Sequence, residues 1–73
     1  LLYTMKKIKI KVNGKIKSLN ENNNLLNLIN FLKIPIKKVA IELNEEIVDK
    51  RKLRKITLKK NDKIEIVHFI GGG

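Results

Sequence analysis

Few residues in this chain could do covalent chemistry. Its 73 residues include no cysteine and a single histidine, His68. Disulfides, thiolate nucleophiles and sulfur-ligated zinc are therefore excluded. His68 has no acid, serine or cysteine partner at a catalytic spacing, and alone it cannot gather a metal ion. What remains is the ending, Gly71-Gly72-Gly73, in a chain whose one other glycine is Gly14. Glycine has no Cβ, so a narrow channel can close around its backbone. Three extended residues reach ~10 Å, enough to carry the main-chain carboxylate of Gly73 into another protein's active site while the folded body stays outside. A carboxylate is a poor acyl donor. Adenylation by ATP gives it an AMP leaving group, and a sulfur nucleophile can then replace the AMP to leave a thiocarboxylate. The competing explanation of the glycines is a frayed terminus.

An arm of this kind needs a rigid body to hold it. The length allows one domain, read here as residues 5–70, with 71–73 a flexible glycine tail and Leu1-Leu2-Tyr3-Thr4, ahead of Met5, an extension outside the fold. A domain this small has a thin core, so an enclosed active site is not expected. The chain reads as a module acting through a surface or a terminus, and not as an enzyme.

Lys6 to Val12 alternates, with Ile8, Ile10 and Val12 on one side and Lys7, Lys9 and Lys11 on the other, the period of a half-buried strand. Asn13-Gly14 fits a two-residue type I′ turn, and Lys15 to Leu19 returns as the second strand, with Lys15 and Lys17 expected on the same outer face as Lys7, Lys9 and Lys11. Asn24 is a helix N-cap candidate. Leu25, Leu28, Ile29 and Leu32 follow at the spacing of one helical face, widened by Leu26 and Phe31. Pro35 predicts a helix end near Lys33, giving a helix over about 25–33. Val39 to Leu43 is a third strand, Asn44-Glu45 a turn, Glu46-Ile47-Val48 a short edge strand, and Asp49 to Arg54 a loop or single helical turn. Lys55 to Leu58 is read as a fourth strand with Ile56 and Leu58 inward, Lys60-Asn61-Asp62 as a turn, and Lys63 to Phe69 as the last strand.

One amphipathic helix across a four- to five-stranded mixed sheet satisfies both periodicities. With the first and last strands parallel at its centre, this is an α+β fold of the β-grasp, or ubiquitin-like, type. In the last strand, inward Ile64 and Ile66 leave Glu65, Val67 and Phe69 on the opposite face. Val67 and Phe69 then form a small exposed apolar patch beside the tail, a candidate partner-binding surface. His68 falls in phase with the core and is expected to be partly buried.

Lys and Arg number 17 against 7 Asp and Glu, a net charge of +10. Lys, Ile and Asn make up about half the chain, a bias that an A/T-rich coding sequence produces without selection for binding. Arginines and aromatics are few and do not interleave, so nucleic acid is not the expected partner. No apolar run approaches the ~20 residues of a membrane span, and no signal-peptide pattern is present. A cytoplasmic setting, or an organelle stroma, is expected.

Ile64-Glu65-Ile66-Val67-His68-Phe69-Ile70-Gly71-Gly72-Gly73 resembles the terminal signature of the thiamine-biosynthesis sulfur carriers, the ThiS family. Val12-Asn13-Gly14, Ala40-Ile41-Glu42-Leu43-Asn44 and Ile47-Val48 are also similar to that family, and the likeness spans residues 5–73. The resemblance implies that Gly73 is adenylated and then bears sulfur, with Gly72 its required neighbour. It implies a ubiquitin-activating-enzyme-like adenylyltransferase that uses ATP and Mg²⁺, sulfur drawn from cysteine through a desulfurase, and delivery to thiazole synthase, with no cofactor bound to the carrier itself. Val67 and Phe69 would then contact one of those two enzymes. The same ending is compatible with the small subunit of molybdopterin synthase, a tRNA-thiolation carrier or a protein-conjugating modifier; charge alone favours a basic nucleic-acid-binding module.

Overall fold

The computed structural model describes residues 6–69; Leu1-Leu2-Tyr3-Thr4 and Gly71-Gly72-Gly73 lie outside them. Strands β1 (Lys7–Val12) and β2 (Lys15–Asn20) form an antiparallel hairpin. Asn13 and Gly14 close it at φ 49° and 80°, the left-handed pair that a type I′ turn requires. A two-residue turn brings odd-numbered residues of β1 opposite even-numbered ones of β2. Lys7, Lys9 and Lys11 therefore face Asn20, Ser18 and Ile16, whereas Lys15 and Lys17 stand opposite Val12 and Ile10. The five lysines do not share a face as expected, and Ile16, 66% exposed, takes a place among those on the outer one.

Helix α1 (Leu25–Phe31) starts at Asn24, whose Oδ1 accepts from the Asn27 N–H at 2.7 Å. It ends two residues before the expected boundary. Lys33 adopts φ 56°, and the N–H groups of Lys33 and Ile34 donate to the carbonyls of Asn30 and Ile29. This is a Schellman closure, with lysine where glycine is usual. Leu25, Leu28 and Ile29 are buried and Leu32 packs against them. Phe31, expected to widen that stripe, is 80% exposed. Leu26 and Phe31 flank the stripe on opposite sides. The segment Lys50–Lys55 lies over Leu26, while Phe31 borders an open groove beside Leu19 and Asn20.

Strands β3 (Val39–Leu43), β4 (Glu46–Ile47) and β5 (Lys63–His68) complete a five-stranded sheet of order β2-β1-β5-β3-β4, with β1 and β5 parallel at its centre. The β-grasp expected from sequence is the fold observed. The fourth strand expected at Lys55–Leu58 is not part of the sheet. Lys50–Lys55 is a 3₁₀ helix, and Thr57 makes a single bridge to Asn24. Backbone bonds from the Leu25 N–H to the Ile56 carbonyl and from the Leu58 N–H to the Asn23 carbonyl tie this stretch to the start of α1. Its alternation is still spent inward: Leu58 is buried and Ile56 packs on the core. Leu53, the one apolar residue of a charged run, is buried at 1% exposure and belongs to the core although no periodicity marked it. Among the described residues no helix is long and apolar enough to cross a membrane.

Candidate functional site

β5 carries the chain toward its glycines from the middle of the sheet. Ile64 and Ile66 point into the core and are buried, so alternation turns their neighbours outward. Val67 is 57% exposed and Phe69 54%. Val67 pairs with Ala40 across β3, and on that outer face Glu42 pairs with both Glu65 and Ile47. Ile47, 77% exposed, is an apolar member of this face that sequence reading did not single out. Its signal was its place opposite Glu42 in a two-residue hairpin, which only the register reveals.

His68 departs from expectation. It is in phase with Ile64 and Ile66 but exposed. Its cross-strand partner Val39 is fully buried, yet β1 has already turned away at Asn13, so among the described residues β5 has no strand neighbour on that side to help cover the imidazole.

The last described residues are held from two other elements. The Phe69 N–H donates to the Lys38 carbonyl at 2.9 Å. The Lys50 ammonium stands 5.3 Å from the centre of the Phe69 ring, within cation–π range. Lys50 opens the 3₁₀ helix capped by Asp49, whose Oδ1 accepts from the Arg51 N–H at 2.9 Å. The side-chain and backbone hydrogen bonds from Arg51 hold the Asp49 carboxyl down at about 2.

Among the described residues no buried side chain is polar or charged, and no three His, Cys, Asp or Glu gather in a metal-binding group. The arrangement offers an outward apolar pair on a strand leading to a glycine ending. Gly71, Gly72 and Gly73, the proposed carriers of chemistry, lie outside the described residues.

A single helix laid across a mixed sheet whose first and last strands run parallel at its centre defines the ubiquitin-like β-grasp class. The chain matches the ThiS family over residues 7–73. The sulfur carrier protein ThiS of Bacillus subtilis is 35% identical over 65 residues, covering 88% of this chain and 98% of that one. The crystal structure of the thiamine biosynthesis protein ThiS from Geobacter metallireducens superposes with a TM-score of 0.80 at 32% identity, covering 90% of this chain and all of that one. A thiazole synthase of Paramagnetospirillum magneticum is 36% identical over 66 residues, 90% of this chain, which thus spans a fifth of that enzyme's length. The chain belongs to the ThiS family.

Proposed function

We propose that this chain carries sulfur on the main-chain carboxylate of Gly73. The carboxylate oxygen attacks the α-phosphate of ATP on a ubiquitin-activating-enzyme-like adenylyltransferase, and pyrophosphate leaves. A sulfur nucleophile, fed from cysteine through a desulfurase, then attacks the acyl carbon, either as hydrosulfide or as a protein persulfide whose S–S bond a second thiol afterwards cleaves, that thiol pair being oxidised to a disulfide. The C–S bond forms, the C–O bond to AMP breaks, and a thiocarboxylate remains. ATP and Mg²⁺ belong to the activating enzyme; the carrier binds no cofactor. Gly71 and Gly72 thread the enzyme's channel, while Val67 and Phe69 meet the activating enzyme or thiazole synthase. The observation that carries the reading is the family match running through Gly73, on a strand whose last described residues turn an apolar pair outward. Delivery to thiazole synthase is supported by the Paramagnetospirillum enzyme, which contains a stretch like this chain. The setting is the cytoplasm or an organelle stroma.

Intact mass tests this directly. Incubation with the cognate adenylyltransferase, ATP, Mg²⁺ and a sulfur source should make the chain heavier by the difference between a sulfur and an oxygen atom. Deleting Gly73 shortens the reach by ~3.5 Å. A ~1 Å misplacement from attack geometry already costs about 10²-fold, so deletion should abolish activation while the fold stays intact. Adding one residue after Gly73 should do the same. A chain lacking Gly73 that still accepted AMP and sulfur at the normal rate would sink the carrier reading.

A further inference from the structure

The β1–β5 ladder is short. Strand pairing covers Lys11 with Lys63 and Val12 with Ile64, and the Lys11 and Asn13 N–H groups donate to the carbonyls of Asp62 and Ile64, each at 2.9 Å. At Asn13 the backbone enters the turn and leaves β5. The next rung is nevertheless made. The Ile66 N–H donates to Asn13 Oδ1 at 2.7 Å, and Asn13 Nδ2 donates to the Ile66 carbonyl at 3.3 Å. One planar carboxamide supplies the acceptor and the donor that a longer β1 would have offered. Since an N–H donates and a carbonyl accepts, the orientation of the amide is fixed. These two bonds are partly buried and join residues 53 apart.

β5 divides its backbone between its neighbours. The bonds at Lys63 and Phe69 go to the β3 side, and those at Ile64 and Ile66 to the β1 side. The amide of Asn13 is therefore the last partner on the β1 side that the described residues provide, set immediately before Val67, His68 and Phe69. Asn13 meets two unrelated demands. It takes φ 49° in the turn, which Gly or Asp would also do, and it presents both an acceptor and a donor, which neither of those does.

From this geometry we infer that Asn13 is a positioning residue for the tail-bearing strand, acting through Ile66 to fix the direction in which Val67 and Phe69, the last residues before the glycine ending to be described, leave the body. The inference deepens the carrier reading and rests on it for its kinetic consequence.

Asn13→Gly separates the two demands, since it keeps the turn and removes the amide. Two readouts are needed: hydrogen exchange at single amides, and steady-state adenylation of the carrier by its cognate activating enzyme. Loss of a partly buried hydrogen bond predicts exchange at the Ile66 N–H faster by about tenfold, with Ile10 and Ile41 unchanged. The activating enzyme's KM for the carrier should rise severalfold with kcat held within about twofold, because the loosened strand must be reordered on docking. Asn13→Asp keeps the turn and one acceptor but sets a charge against the Ile66 carbonyl, and it should raise KM as well. Exchange that quickens equally at Ile10, Ile41 and Ile66 would reduce Asn13 to general stability and overturn the proposal, as would an unchanged KM in both variants. Failure of the unaltered chain to be adenylated would count against the carrier reading instead, while exchange at Ile66 would still decide whether Asn13 holds the strand.

Discussion

β5 and Phe69, the residue that follows it, form one segment with two unlike halves. From Lys63 to Ile66 it lies between β1 and β3, and its inward side chains are sealed, Ile64 completely and Ile66 nearly so. From Val67 to Phe69 it keeps β3 on one side, is left by β1 on the other, and turns its side chains to water. Each half carries two apolar side chains, Ile64 and Ile66 in the first and Val67 and Phe69 in the second, so a count of apolar residues does not separate them. Neighbours do. The first half anchors the strand and the second presents it, and the change falls at the rung made by Asn13. In the proposed carrier role this division is useful, because the energy that fixes the strand is spent away from the surface proposed to meet partners.

The sharpest way to test the division is to truncate each half. Ile64→Ala should destabilise the fold by ~2–5 kcal/mol in urea unfolding, the usual range for emptying a sealed core site. Leu28→Ala or Ile29→Ala, on the helix face that covers the sheet, should fall in the same range. Val67→Ala should stay within ~0.5 kcal/mol. Equal losses at Ile64 and Val67 would mean that the strand has no presenting half.

Next in size is an effect on binding without one on folding. Phe69→Asp replaces an exposed ring that touches Lys50 at its face. It should leave the urea midpoint nearly unmoved and weaken association with the activating enzyme or thiazole synthase by about tenfold, the scale of an aromatic anchor at an interface. A Phe69→Asp chain that unfolds would place the ring in the core after all, and one that binds both enzymes normally would remove the patch from the partner surface.

The same contrast marks what the sequence disclosed. Where period and burial coincide, as over Lys7–Val12 and Leu25–Ile29, the elements and their inward residues were legible, and so was the outward phase of Val67 and Phe69. Exposure of His68 was not, because it depends on where β1 stops and not on alternation within β5. Phe31 and Leu26 look equivalent on the helix, and only the 3₁₀ helix packed over one of them tells them apart. Lys55–Leu58 has a strand's alternation, but its backbone found partners at the start of α1 before it could reach the sheet. The second role of Asn13 was hidden by its first, since a turn signal fully explains an Asn-Gly pair and gives no reason to look for a contact more than fifty residues away.

The smallest expected effect lies at the far support of the presenting half. Asp49 caps the 3₁₀ helix from which Lys50 reaches over Phe69, and hydrogen bonds from Arg51 hold its carboxyl at about 2 against an ordinary 3.8. A carboxylate depressed on folding favours the folded chain at every pH above its unfolded value, and the contribution fades as pH falls from 3.8 toward about 2. Asn at this position keeps an acceptor for the Arg51 N–H but has no charge to lose. Asp49→Asn should therefore be slightly less stable than the unaltered chain at pH 7, and the gap should close as the solution is taken below pH 3.8. The carboxylate is half-buried and its partner Arg51, 2.9 Å away, is open to solvent, so the difference will be small and is best read from the carboxyl carbon of Asp49 by NMR titration. A midpoint at the ordinary carboxylate value would show that the Asp49–Arg51 contact is not maintained in solution, and Lys50 would then lose the cap that sets it beside Phe69.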